Sequence, residues 1–187
     1  VINLARKVKG KEWFNIIAPP FFGEKEIGKT LSSNPEALVG KKITLNAIEL
    51  INDLNKFYLK LTFRIYKVEG SKALTQFNEL ECLRDYIARM VLRRVTRIDL
   101  VQDLMTKDQV KIRFKGLIVT SKKITSNVKV KIRKFANELI QSEVKNSTLE
   151  ELLEKSISDE LKNKIKAKGR KIYPIRNFEV RKIEVSV

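Results

Sequence analysis

The chain has 187 residues, 39 of them lysine or arginine and 22 aspartate or glutamate, for a net charge of +17. With no histidine and one cysteine, Cys82, it can hold no Ser-His-Asp or Cys-His catalytic arrangement, no Cys/His zinc site within one chain and no internal disulfide. Hydrophobic residues make up 43%, enough to bury a core, and no apolar run approaches the roughly 18 residues of a membrane span.

A folded domain this basic repels itself, so the excess charge points to a polyanionic partner. Nucleic acid is favoured over an anionic membrane surface or an acidic protein. Cys82 reads as a small buried apolar residue. With no signal-peptide pattern and no disulfide, the expectation is a soluble cytoplasmic protein without cofactor or metal.

Residues 1–10 read as a short basic arm, and residues 11–187 as a single nucleic-acid-binding domain. Trp13, Phe14, Ile16 and Ile17 form an apolar patch that stops at Pro19-Pro20, and Phe21 and Phe22 continue it. Because these aromatics cluster with isoleucine, core or docking packing is favoured over base stacking. Gly23 to Thr30 satisfies G-x-x-x-x-G-K-[ST], the phosphate-cradling pattern of a nucleotide hydrolase. Its context argues against that role: prolines 19 and 20 spoil the strand before it, and Pro35 spoils the helix after it. Glu24 and Glu26 would also place carboxylates inside the phosphate nest. The match reads as coincidence.

Residues 30–36 read as a loop, and Lys42 to Leu50 as strand-like. From Phe57 to Val68 apolar and polar residues alternate, which predicts a strand with one face in the core. Ala73 to Phe77 makes a short further strand. Residues 79–94 read as a helix, with Asp85 able to pair with Arg89. Arg93, Arg94 and Arg97 then leave its end as a phosphate grip, or as a solvated face.

A hairpin is predicted over Ile98–Leu104 and Gln109–Thr120, with Lys111, Arg113 and Lys115 in a row spaced roughly 7 Å apart. Gly116 would let the strand bend or another backbone approach closely. Lys122, Lys123, Lys129, Lys131, Arg133 and Lys134 come next, the last four at the start of a helix expected over residues 127–144. That helix is acidic near its end, a charge order opposed to the helix dipole that makes sense if the basic end faces a polyanion. Ser147-x-x-Glu150 is a capping-box pattern for a second helix, and a third run continues towards Ala167. Glu143, Glu150, Glu151, Glu154, Asp159 and Glu160 form an acidic island, either a solvated face or a contact for a basic neighbouring protein. Lys162 to Lys171 is a basic run stopping near Gly169, and Val180, Ile183 and Val185 suggest a last strand.

Ordered blocks along the chain resemble a known family. They are Lys11-Glu12-Trp13-Phe14, Ala18-Pro19, Ile27-Gly28-Lys29-Thr30 and Val39-Gly40-Lys41. The pattern resumes at Ile132-Arg133-Lys134, Asn146-Ser147-Thr148-Leu149, Ile172-Tyr173-Pro174-Ile175-Arg176-Asn177 and Val180-Arg181-Lys182. On these residues the chain is similar to the S-three-Ae, or eS-one, ribosomal proteins of the small subunit. The lack of an extended tail or long basic N-terminal extension suggests the archaeal form. The resemblance implies a structural constituent without catalytic residues, built on a β-barrel-like body with helices. It also implies a place on the platform near the mRNA exit and the 3′ end of the small-subunit rRNA. Partners would be that rRNA, neighbouring ribosomal proteins and mRNA near the exit, with no membrane.

The residues themselves agree with an α+β fold, mostly antiparallel, with helices concentrated in the C-terminal half. The rRNA contacts expected are Lys111, Arg113, Lys115, Arg93, Arg94, Arg97, Lys122, Lys123, Lys129, Lys131, Arg133 and Lys134, with Lys29, Lys41 and Lys42 in support. A non-ribosomal RNA- or DNA-binding architectural protein is the alternative.

Overall fold

Period-two alternation builds the body. In the computed structural model, which describes residues 10–185, Leu59, Leu61, Phe63 and Ile65 fall on one face of β4 (Leu59–Glu69) and are buried. Gly70, at φ 57°, turns the chain into β5 (Lys72–Cys82), which pairs with β4 over its whole length. Short β3 (Lys42–Asn46) adds to the other edge of β4.

The remaining strands attach to the free edge of β5 in two separate places. Near its start, β1 (Glu12–Ile17) pairs in parallel at Ala73 and carries β2 (Glu26–Ser32) as an antiparallel neighbour. Near its end, β5 pairs antiparallel with β8 (Ile175–Val185) through residues 79–81. Beyond β8 lie β7 (Lys111–Thr120) and then β6 (Arg97–Met105). Every pairing except β1 with β5 is antiparallel.

Helices α1 (Ala47–Ile51) and α2 (Arg84–Met90) are short connectors. The long α3 (Ser126–Asn146) packs on β6 and α5 (Glu160–Gly169) on β8, with α4 (Leu149–Ile157) against α5. Ile132, Ala136, Leu139, Ile140 and Val144 recur on one face of α3 and bury it against the sheet. Phe114 and Phe178 meet this layer from β7 and β8 in a core that runs on to Phe63 and Leu80. Truncating one of these phenylalanines to alanine costs about 3–5 kcal/mol. The body is therefore α+β and mostly antiparallel, with its longer helices late in the chain, in agreement with the residue pattern.

Several local expectations give way. Residues 79–82 extend β5 rather than open a helix, because Glu81 stands between Lys60 and Lys182, Glu79 meets Lys182 on the diagonal, and Leu80 and Cys82 go inward. Helix α2 starts only at Arg84, and among the described residues neither Asp85 nor Arg89 forms an ion pair. β2 runs through Thr30 to Ser32, in place of the expected loop, because β1 supplies its hydrogen-bond partners. The stretch after Asn46 is α1, not strand. The capping box of α4 sits one residue later than the sequence pattern, with the Thr148 hydroxyl accepting from Glu151 N–H and the Glu151 carboxylate accepting from Thr148 N–H. The last turn of α3 carries Lys145 beside Glu143, so the acidic end expected of this helix also holds a cation.

Of the two packing roles expected of these aromatics, Trp13 does not take the core one. It is 63% exposed, whereas Phe14 beside it is 2% exposed and packs with Ile16, Leu38 and Ala73. Two adjacent aromatics on a strand cannot both face the core. Gly116 sits at a register shift in β7, where an added Cβ would press on Phe114 and Phe178 at 3.2 and 3.3 Å. Its close neighbours are side chains rather than the backbone expected there, and the register shift marks a local irregularity in the strand. Of the expected arm, residues 1–9 lie outside the described residues.

Candidate nucleic-acid interface

A buried threonine gathers the cations at one end of the sheet. Thr120, fully buried at the end of β7, gives its hydroxyl to the Lys122 carbonyl (2.7 Å) and accepts from Thr96 N–H (3.1 Å). Its own N–H donates to the Thr96 carbonyl (3.0 Å), and Ile124 N–H reaches the Thr96 hydroxyl (3.1 Å). Next to it, Ser121 N–H donates to the Pro174 carbonyl at 3.3 Å. Loops from three separate parts of the chain, residues 91–97, 121–125 and 170–174, are thus fastened together.

These loops carry Arg93, Arg94, Lys122, Lys123, Arg170 and Lys171, all exposed, with Arg176 at the start of β8. None of the seven has an ion-pair partner among the described residues; the local carboxylate, Asp99, is engaged by Arg97 at 2.7 Å and Arg181 at 3.7 Å. Arg93 and Arg94 lie in the turn beyond α2, Arg94 with φ 66°, rather than on the helix exit. Arg170, Lys171 and Arg176 are not among the rRNA contacts expected from the sequence, although the first two end its basic run Lys162 to Lys171. The basic run before Gly169 is visible there, but its return to Lys122 depends on β7 pairing with β8.

Helix α3 begins immediately after this cluster. Lys131, Arg133 and Lys134 are exposed and Lys129 is half-buried, with no acidic residue in the first turn. The positive end of the helix dipole adds to the same field. The helix carries the chain about 32 Å away. At that far end Lys107 N–H meets the Ser147 carbonyl and Leu149 N–H meets Asp108, and the acidic α4 begins. The basic loops and the acidic α4 thereby lie at opposite ends of α3.

The row on β7 differs. Lys111, Arg113 and Lys115 do occupy one face, but Arg113 donates to both oxygens of Asp103 on β6 at 2.7 and 2.8 Å. Lys115 meets Glu184 on β8 at 3.0 Å, and Lys182 bridges Glu184 and Glu79 at 2.5 and 2.8 Å. Lys115 stands directly opposite Lys182 and Glu184 opposite Glu79, so opposite charges meet mainly on the diagonal and offset much of this face, while Lys111 has no ion-pair partner among the described residues. The Arg113 guanidinium holds the Asp103 carboxyl below its usual range. Burial alone would raise Glu184, but hydrogen bonds from Lys182 and Lys115 outweigh it and keep it low. Lys41 and Lys42 are exposed at the start of β3, and Arg64 stands opposite Lys42. Lys29 is exposed on β2 with a loose 3.8 Å contact to Glu26.

The phosphate-loop pattern is a strand. Gly28, Lys29 and Thr30 pair with Ile16, Asn15 and Phe14, and the next element is a four-residue 3-10 turn, Pro35–Leu38. Contrary to expectation β1 does precede the motif, but the chain folds back as a hairpin instead of entering a helix. The backbone amides of residues 28–30 are therefore set in a sheet, not in a phosphate cradle.

Two further ion pairs lie inside. Lys162 pairs with Glu179, whose side chain is 6% exposed, and Lys56 pairs with Asp159 at 2.5 Å. Tyr58 and Tyr86 stack face to face nearby, with ring centroids 4.0 Å apart. Burial raises Glu179, while the pairs with Glu179 and Asp159 hold Lys162 high against the opposing effect of burial. Burial also pushes the Cys82 thiol up to about 12, which leaves it an unreactive core residue. Among the described residues no acidic, histidine or cysteine cluster could hold a metal, and no helix is long and apolar enough to cross a membrane.

Residues 3–187 match the model of the Ribosomal S3Ae family. The chain is 38% identical over 183 residues to the small ribosomal subunit protein eS1 of Methanopyrus kandleri, covering 96% of this chain and 87% of that protein. The eS1 proteins of Desulfurococcus amylolyticus and Saccharolobus islandicus are 35% and 33% identical over 179 residues, covering 96% of this chain and 84% and 86% of theirs. A match over nearly the whole chain, on a basic α+β body with a cluster of free cations at one end of the sheet, places this chain in the Ribosomal S3Ae family.

Proposed function

We propose that the chain is a structural constituent of the small ribosomal subunit that holds small-subunit rRNA through phosphate and ribose contacts. The names of its relatives support the ribosomal setting. The observation that carries the binding mode is the meeting of Arg93, Arg94, Lys122, Lys123, Arg170 and Lys171 around Thr120 without carboxylate partners. Uncompensated cations from several elements suit a protein wedged among RNA segments, where backbone contacts fix position and carry no base code.

In this reading residues 11–187 act as one domain, the cluster and the first turns of α3 face rRNA, and Lys29, Lys41 and Lys42 make secondary contacts. The site lies on the platform near the mRNA exit and the rRNA 3′ end, in the cytoplasm, with neighbouring ribosomal proteins and mRNA within reach and with no catalytic role. Salt-washed small subunits should retain the chain, and ultraviolet crosslinks from it should map to small-subunit rRNA through the basic loops. A chain that never sediments with small subunits would overturn the reading.

A further inference from the structure

At the end remote from the basic loops, a groove of about 830 Å³ runs between α4 and the turns that come after β1 and α1. Its floor is apolar, made by Phe22, Ile51, Leu153 and Ile157. The volume falls within the roughly 300–1,000 Å³ of sites that enclose a small molecule or a few side chains. Its rim is acidic: Glu150 and Glu154 lie one turn apart on α4, both exposed, with Asp53 also lining the groove.

In a chain with 39 cations the rim carboxylates Glu150 and Glu154 still have no ion-pair partner among the described residues. The lysines on adjoining elements are engaged elsewhere. Lys56 reaches inward to Asp159 at 2.5 Å, Lys155 donates to the Ser147 hydroxyl at 2.8 Å, and Lys25 donates to the Leu50 carbonyl at 3.1 Å. An RNA backbone would meet these carboxylates with like charge and find no use for the apolar floor.

We propose that this groove docks a lysine- or arginine-rich segment of a neighbouring protein, which inserts apolar side chains between α4 and Phe22 while its cations meet Glu150 and Glu154. The inference rests on the ribosomal reading for its setting and on the groove for its chemistry. Rim charges act mainly on encounter and register, and the buried apolar side chains supply most of the hold.

A photo-crosslinking residue in place of Ile157, carried by the full chain in purified small subunits, tests this by mass spectrometry of the adduct. The same probe in place of exposed Ser158 serves if the Ile157 variant fails to fold. The expected product is a Lys/Arg-rich peptide of another protein, with a yield that drops at least about fivefold in Glu150→Lys/Glu154→Lys and less in Glu150→Gln/Glu154→Gln. Adducts on rRNA, on residues 1–9 of the chain itself or on a segment without cations overturn the proposal. So does a yield unchanged by charge reversal, or subunits that contain the chain but give no adduct. Failure of the chain to enter subunits overturns the ribosomal reading itself, a result sedimentation reports separately.

Discussion

The cations of β7 and those around Thr120 carry the same formal charge and lie at two ends of one strand, yet their surroundings are opposite. Arg113 and Lys115 look across the sheet at Asp103 and Glu184, so part of their field is spent inside the protein. Arg93, Arg94, Lys122, Lys123, Arg170 and Lys171 project from loops where no strand places a carboxylate opposite them. A basic residue is available to a polyanion only to the extent that the fold has left it unpaired, because the polyanion must otherwise displace an existing partner.

Removing the loop cations together should separate the two regions most. Replacing all six by glutamine is expected to lower the slope of log K against log[salt] for rRNA binding by about four to six, read from filter binding over a salt series. A slope lowered by less than about two would move the interface elsewhere.

The buried cations should show the contrasting phenotype, lost stability with RNA contacts intact. Lys162→Ala strands Glu179 in the interior and is expected to cost about 3–5 kcal/mol in urea unfolding, whereas a paired Lys162→Met/Glu179→Leu replacement should cost much less. Equal costs for the single and paired changes would mean that packing, not charge, holds this site.

A smaller effect is expected on the sheet face. Arg113→Gln with Lys115→Gln should lower the salt slope by less than about one, although two charges are removed. The converse change, Asp103→Asn with Glu184→Gln, should raise RNA affinity by freeing both cations. If the first variant loses as much slope as any two loop residues, paired and unpaired cations do not differ in their access to RNA.

The smallest effect concerns acid stability. The Glu184 carboxyl is held below its ordinary value of 4.5, so its contribution is present above that value and lost as pH falls through the depressed folded-state value. Glu179, raised by burial, acts in the opposite sense: its contribution is present below 4.5 and lost as pH rises through its folded-state value. Unfolding midpoints followed between about pH 3 and pH 6 should therefore show a shallower acid-side loss in Glu184→Gln than in the parent chain. An identical acid limb in both would show that the Lys115–Glu184–Lys182 bridge contributes nothing measurable.

Much of the fold can be read without coordinates wherever one physical signal dominates. Alternation over Phe57–Val68 and Gln109–Thr120 gives β4 and β7, and spacing from Ile132 to Ile140 gives α3. Reading fails where two signals compete. Residues 79–82 combine Glu and Leu, which favour helix, with an alternation that favours strand, and pairing to β4 and β8 decides for the strand. Trp13 and Phe14 are both large and aromatic, so nothing local says which faces inward; the contacts of β1 with β5 do.

The sequence by itself determined the basic charge, the absence of histidine chemistry, the main strands and helices, and the family to which the blocks from Lys11 to Lys182 belong. Those properties are local or additive, and each can be summed from neighbouring residues. Only the tertiary structure decided which cations are free, because Lys115 finds Glu184 across 69 positions of chain, and the loops of Arg93, Lys122 and Arg170 are joined by buried Thr120 and its neighbour Ser121. Ion pairing and charge clustering depend on distance in space, and strand register, which sets that distance here, is fixed by the packing of the whole core.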